Sequence, residues 1–358
     1  MSRILCRVML CILFAFGSSG LAACAAGTNG LDVGVAAFPV VFSSPETGVG
    51  GGVGAVLTFR GEAVDSRPNS LALVGMVTEK SQSLLILSPE AYVCDDYWKL
   101  KTSVIRRDWP DEFYGIGNDT EEEDEEAFEV QSLEVRPSAM LKVWRELRAG
   151  LVLDWKDVEV SELVEDGLLA TGGFLGTEGT ESWGLGPALE WDTRDSLFFP
   201  MHGSWLQLNV NFYRDSLGSD YDYDSVVFDW RRFLSVGSDE VLAFQVHGRS
   251  MSGDVPFDEL STLELMRGVP ENRFRDMRAA SMQVEYRVPV WSRVWGVAFA
   301  STGSVFERWS DWDAGDLKYA GGVGVRYALN KRERINLRVD IGFSEEGVFP
   351  YIQMREAF

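Results

Sequence analysis

From about Phe38 to the last residue, the chain alternates apolar and polar positions with a period of two. Arg334, Asn336, Arg338 and Asp340 interleave with Ile335, Leu337, Val339, Ile341 and Phe343. Leu206, Leu208, Val210 and Phe212 alternate with Gln207, Asn209 and Asn211, and Met282, Val284, Tyr286 and Val288 with Ser281, Gln283, Glu285 and Arg287. This is the signature of strands with one apolar and one polar face. Turn residues divide the pattern into sixteen strands: 38–43, 48–60, 69–78, 82–94, 97–107, 127–144, 147–160, 180–193, 201–213, 222–236, 239–252, 277–289, 293–305, 317–328, 331–343 and 347–357. Because strand boundaries read from one sequence shift by a few residues, fourteen is the alternative count. Helical periodicity is hardly visible, so the fold class is all-β in one domain.

Alternation does not say which face looks inward. A soluble sandwich buries the apolar face that an outer-membrane barrel turns to lipid. Four features favour the barrel. The strands are long enough to cross a bilayer at a tilt. Their polar faces carry charges suited to a wet lumen, as at Lys99 with Lys101, Asp154 with Lys156, and Arg334 with Arg338 and Asp340. Trp98, Trp144, Trp205, Tyr213, Trp291 and Trp295 recur near strand ends, as interfacial girdles require. The chain stops at Phe358, directly after a strand. Connections also alternate between tight ones, near 144–147, 236–239, 290–293 and 329–332, and long ones at 108–126, 161–179 and 253–276. Short turns at one rim and long loops at the other are the pattern of a transmembrane antiparallel β-barrel.

The N-terminus reads as an export leader over 1–23, with Arg3 and Arg7 ahead of the apolar run Val8 to Phe16 and small residues from Gly17 to Ala23. Leu21-Ala22-Ala23-Cys24 has the form of a lipobox, which would lipidate Cys24; the alternative is an ordinary cut after Ala25 or Ala26. Residues 24–37 then form a short periplasmic segment ahead of a barrel over 38–358. An N-terminus in the periplasm makes the long loops extracellular, including the acidic run from Asp119 to Glu126, which reads as a solvated loop or, less simply, a divalent-cation site.

Charge and rare residues narrow the function. The net charge is −22, and cleavage of a leader holding Arg3 and Arg7 makes it two units more negative, which argues against a nucleic-acid partner. Cys94 is the only cysteine outside the N-terminal region, and His202 and His247 are the only histidines, so no metal site or other cofactor is expected. Gly248-Arg249-Ser250-Met251-Ser252 falls one glycine short of a nucleophile elbow, so no enzyme is expected and His247 reads as a strand residue.

The chain resembles the barrel domain of the BamA/TamA outer-membrane assembly family, the bacterial surface antigens. The likeness is carried by Pro45-Glu46-Thr47-Gly48, Tyr114-Gly115-Ile116-Gly117-Asn118-Asp119, and Asp192-Thr193-Arg194-Asp195 with Pro200 and Gly203. It continues at Met266-Arg267-Gly268 through Asp276, at Val284-Glu285-Tyr286-Arg287-Val288-Pro289, and at Glu356-Ala357-Phe358. The resemblance implies that the loop 253–276, between the eleventh and twelfth barrel strands, folds into the lumen. Arg267 would be its tip, Gly268 the turn partner, and Glu285 a buried acceptor held by two parallel hydrogen bonds. Three departures stand out. Ser301 occupies the place of a second acidic acceptor, Val269 that of an aromatic, and Met354-Arg355 that of a kink-forming glycine. The dozen residues between leader and first strand are too few for the family's periplasmic POTRA modules.

The function implied is insertion or translocation of proteins or lipids at the outer membrane. Its partners would be outer-membrane lipids and periplasmic or outer-membrane proteins that supply substrate. The seam between the first and last strands, marked by Pro39 and Phe358, would be the working edge. Pro39 lacks an amide donor and either weakens that edge or sits harmlessly at a strand start. The alternative is a passive channel or structural barrel, with anion preference from Lys99, Lys101, Arg287, Arg326, Arg334 and Arg338.

Overall fold

A computed structural model describes residues 32–44, 48–60, 69–237, 239–330, 334–353, 356 and 358. The expected leader at 1–23, Cys24, the Pro45-Glu46-Thr47 tripeptide and Met354-Arg355 lie outside the described residues.

The strands are β1 (Asp32–Ser44), β2 (Gly48–Arg60), β3 (Asn69–Thr78), β4 (Ser83–Val93), β5 (Trp98–Phe113), β6 (Glu126–Trp144), β7 (Leu147–Ser161), β8 (Thr180–Asp192) and β9 (Gly203–Tyr213). They continue as β10 (Tyr223–Ser235), β11 (Val241–Gly253), β12 (Ser261–Thr262), β13 (Arg275–Asp276), β14 (Arg278–Trp291), β15 (Val294–Phe306), β16 (Lys318–Asn330), β17 (Ile335–Ser344) and β18 (Gly347–Gln353). Sixteen of them form one antiparallel sheet in sequence order, while β12 and β13 pair with each other inside a loop. The sheet curls until β1 and β18 lie side by side. Among the described residues no backbone ladder joins those two strands.

The apolar face points out. On β16, Val323, Val325 and Tyr327 are exposed while Arg326 between them is fully buried. On β17, Val339, Ile341 and Phe343 are exposed and Asp340 is fully buried. A soluble sandwich would reverse this, because exposing rows of valine, isoleucine and phenylalanine costs free energy in water but not beside lipid.

Several expected boundaries and facings shift. Residues Asp32 to Ala37, expected in the N-terminal segment, belong to β1 and pair in register with Arg60 to Ala55. From Val33 onward they alternate only small apolar residues with glycine and alanine, so no polar face revealed them. Pro39 therefore lies well inside β1, opposite Val53, and not at a strand start. Strand β5 runs to Phe113, six residues beyond the expected end, where Pro110 interrupts the pattern. Of the expected girdle aromatics, Trp144 and Trp291 are exposed at strand ends beside tight turns. Trp205, Tyr213 and Trp295 instead share the inward parity: Trp205 pairs with Arg231, Tyr213 is buried, and Trp295 packs on Phe199 with ring centroids 4.9 Å apart.

Candidate functional site in the barrel lumen

The residues between β11 and β14 turn back into the lumen. Their apolar side chains find a surface there: Leu263, Met266, Val269 and Phe274 pack with Ala279, Val305 and Ala320 of the wall. Phe257 packs with Phe113, Phe128 and Leu169. Burial of these side chains supplies the non-directional part of the docking.

Charge supplies the register. Lys156 donates to Asp258 at 3.0 Å and Glu259 at 2.7 Å, and Arg249 donates to Glu259 at 2.6 Å. Burial raises the Glu259 carboxyl, but Lys156 and then Arg249 outweigh it and hold that group down at about 2. Burial pushes the neighbouring Asp258 carboxyl up, and Lys156 only partly opposes it. Arg273 donates to Glu346 at 2.8 Å and to Thr120, and its guanidinium lies 4.6 Å from the centre of the Tyr114 ring.

The Tyr114–Asp119 segment is a clamp on this loop. The Gly117 amide donates to the Arg275 carbonyl at 2.8 Å. Asn118 donates to the Ser304 hydroxyl at 2.8 Å and to the Val305 carbonyl at 2.6 Å, and accepts from the Val305 amide. Burial and the Glu112 carboxylate push the Tyr114 phenol above its usual range.

At the tip, Gly268 has φ +101°, and a Cβ there would come within 3.2 Å of the Phe343 backbone and 3.1 Å of the Ala320 Cβ. Its amide donates to the Tyr351 hydroxyl at 2.8 Å. Ser344 donates to its carbonyl. Only glycine accepts both that dihedral and that proximity.

Arg267 does not grip Glu285 with two parallel bonds; it straddles two carboxylates. Its Nη1 donates to Asp340 at 2.7 Å and its Nη2 forms an ion pair with Glu285 at 2.7 Å, while the Phe299 ring centre lies 3.7 Å from the guanidinium carbon. Glu285 also accepts from Arg287 Nε at 2.6 Å and from Arg326 Nη2 at 3.3 Å. Asp340 is shared with Arg326 and, at 3.6 Å, with Arg338. Arg326 reaches Glu356 at 2.7 Å. Four guanidiniums thus surround three carboxylates with almost no water contact. Such charges tolerate burial only because each has partners.

The second acidic contact is therefore Asp340 on β17. Ser301, at the place expected for it, is buried on β15 with its hydroxyl toward the Ala320 carbonyl at 3.5 Å, outside the ion pairs. The acid missing at Ser301 is supplied from two strands further on. Asp340 was visible as a polar-face residue; its partner was not, because no local spacing links residues 73 apart.

Phe358 is also displaced from its expected place in the seam. It is buried in the lumen against Phe233, Val241 and Ala243. Arg287 lies within 3.4 Å of its carbonyl oxygen, and Glu356 accepts from both Arg326 and Asn336. Strand β18 ends at Gln353, and the described residues beyond it are held inside the barrel.

The remaining predicted positions have structural roles. Lys99 pairs with Glu190 at 2.7 Å, Asp154 accepts from Arg136 and Tyr213, and Arg194 holds Asp192 through two bonds of 2.9 Å. Arg334 sits in the turn before β17, not on the lumenal face, and pairs with Asp195; two backbone amides and this guanidinium hold that carboxyl below its usual range against the opposing effect of burial. His247 is buried in β11, 3.5 Å from Glu264, and Ser250 follows Arg249 in the same regular strand, so no nucleophile elbow exists there. The acidic run forms an exposed turn, and no cluster of metal-ligating side chains occurs among the described residues.

The Omp85 superfamily domain model matches residues 67–345. No curated protein matches the sequence. Among solved structures, BamA from Haemophilus ducreyi lacking POTRA domains 1–3 is similar with TM-score 0.60 at 13% identity, over 89% of this chain and 69% of that one. CdiB from Escherichia coli gives TM-score 0.57 at 10% identity, over 92% and 68%, and CdiB from Acinetobacter baumannii gives 0.53 at 9%, over 90% and 64%. Those likenesses agree with the sixteen-stranded fold. With the family model spanning most of the chain, the protein belongs to the Omp85 superfamily.

Proposed function

We propose that this barrel assists the insertion or translocation of proteins or lipids at the outer membrane, that it works at the seam between β1 and β18, and that it reaches the membrane through a cleaved leader. The observation that carries the reading is that β1 and β18 lie side by side while no ladder of backbone bonds joins them among the described residues. Unpaired backbone groups are costly in hydrocarbon, so an unladdered edge is a site where another strand or a lipid headgroup is favoured. The lumen is crossed by a loop held at many points, which disfavours the alternative of a freely conducting channel. Substrate would come from a periplasmic or outer-membrane partner.

Cysteine pairs at facing positions of β1 and β18 test this. The oxidised, locked barrel is expected to lose its effect on outer-membrane protein and lipid composition, with recovery on reduction. Full activity of the locked form would exclude a working seam.

A further inference from the structure

The lumen wall is not uniformly polar. From β6 to β17 its inner face carries the charges described above; on β4 and β5 the inward positions nearest the short turns, Glu90, Lys99 and Lys101, are charged as well, but between them and the long loops the wall of β2 to β5 is apolar. Register sets the facing: Val53, Leu73, Val77, Leu85 and Leu87 are exposed on the outside, so Val74 and Met76 of β3, Leu84 and Ile86 of β4 and Ile105 of β5 point inward, opposite one another in the ladders. All five are half-buried. On β2 the inward positions Gly50, Gly52 and Gly54 carry no side chain, and a Cβ at Gly52 would come within 2.7 Å of the Met76 Cβ. The result is a shallow apolar groove, aliphatic along β3 to β5 and bordered by the side-chain-free positions of β2, one strand away from the β1–β18 seam.

The two ends of the groove differ. Toward the short turns it closes on charge, first where Glu90 faces Lys101 and then at the pair Lys99 with Glu190. Toward the long loops it meets Arg107, which faces inward opposite Leu84 and Ser132. Arg107 is exposed and has no ion-pair or hydrogen-bond partner among the described residues, whereas the inward arginines of β6 to β17 described above are all paired.

We infer that the inner face of β2–β5 holds the acyl chain of a phosphate-bearing lipid that enters at the seam, with the lipid phosphate on Arg107. This rests on the seam reading in its route of entry. An acyl chain suits the groove because it needs no hydrogen bonds from an apolar wall, whereas a polypeptide backbone would leave its polar groups unpaired there. A guanidinium at one end matches a phosphate in charge and geometry. Continuity with the lipid-facing surface through the unladdered edge supplies the path.

The test uses the full-length barrel in vesicles containing phosphatidylglycerol with a diazirine midway along one acyl chain. After irradiation, peptide mapping is expected to find label on Val74, Met76, Leu84 or Ile86 as well as on the outward Val77 and Leu85. Arg107→Gln is expected to lower inner-face labelling about fivefold, the effect of one basic residue at an anionic surface, and to leave outward labelling unchanged. Ile86→Asn should lower inner labelling with Arg107 intact, and a heat-resistant folded band on gels verifies assembly of both variants. Label confined to outward residues would overturn the inference. Inner labelling equally strong with an uncharged diazirine diacylglycerol, and unchanged in Arg107→Gln, would remove the phosphate assignment. Labelling is read without any transport assay, so inner label in a barrel whose locked seam remains active would leave the lipid site standing and the seam reading refuted.

Discussion

Asp340→Ala is expected to cause the largest loss of barrel stability of any lumenal substitution, at least about 3–5 kcal/mol, the cost typical of leaving buried charge without its partner. Asp340 faces Arg267, Arg326 and Arg338, and all three remain buried when its carboxylate is removed. The network already holds one guanidinium more than it has carboxylates, so losing an acid widens an existing imbalance. Asp340→Asn should recover little, because an amide restores shape and some hydrogen bonding but no charge. Denaturant unfolding in vesicles, or the midpoint of the heat-modifiable band, measures the loss. An effect under about 1 kcal/mol, in the range of an exposed pair, would mean that water reaches the cluster.

Arg267→Met is expected to act in a different place. Three guanidiniums and three carboxylates then remain, Glu285 keeps Arg287 and Arg326, and Asp340 keeps Arg326 and Arg338. The barrel should therefore persist with a small change in unfolding midpoint, while the loop loses its tip anchor. Amide-exchange protection across 254–277 is expected to fall by two to three orders of magnitude, corresponding to about 3–4 kcal/mol of local opening. Arg267→Lys should fall between, since one ammonium cannot straddle two carboxylates as a planar fork does. Equal exchange in mutant and parent would show that the apolar contacts of Leu263, Met266 and Phe274 hold the loop without the arginine.

These expectations separate what was legible in the sequence from what was not. The alternation around Ile335–Phe343 and Met282–Val288 was enough for the strand order, because period two survives any misplacement of turns. The facing of Trp205 and Trp295 was not, since proximity to a strand end says nothing about parity. The start of β1 was hidden by Val33-Gly34-Val35-Ala36-Ala37, which has no polar side. Glu285 could be found because its parity and its motif agreed. Asp340, Lys156 and Arg107 acquire their meaning from strands distant in sequence: Asp340 through a loop that returns across the barrel, Lys156 through two loop carboxylates, and Arg107 through the lack of a side-chain partner among the described residues. The position of Phe358 follows from Phe233 and Arg287 inside the lumen, which no terminal motif discloses.

The central claim is that the tip of the 254–277 loop is enclosed in the lumen by charges from the barrel wall. The most direct check is the reactivity of Val269→Cys, next to that tip and buried, in intact outer membranes with Cys94 replaced by serine. A membrane-impermeant maleimide should leave Val269→Cys unmodified under conditions that fully modify Asp311→Cys in the exposed loop before β16, and it should modify Val269→Cys once Arg267→Met is added. Modification of Val269→Cys at the rate of Asp311→Cys in the parent barrel would show the tip in open solvent and contradict the account.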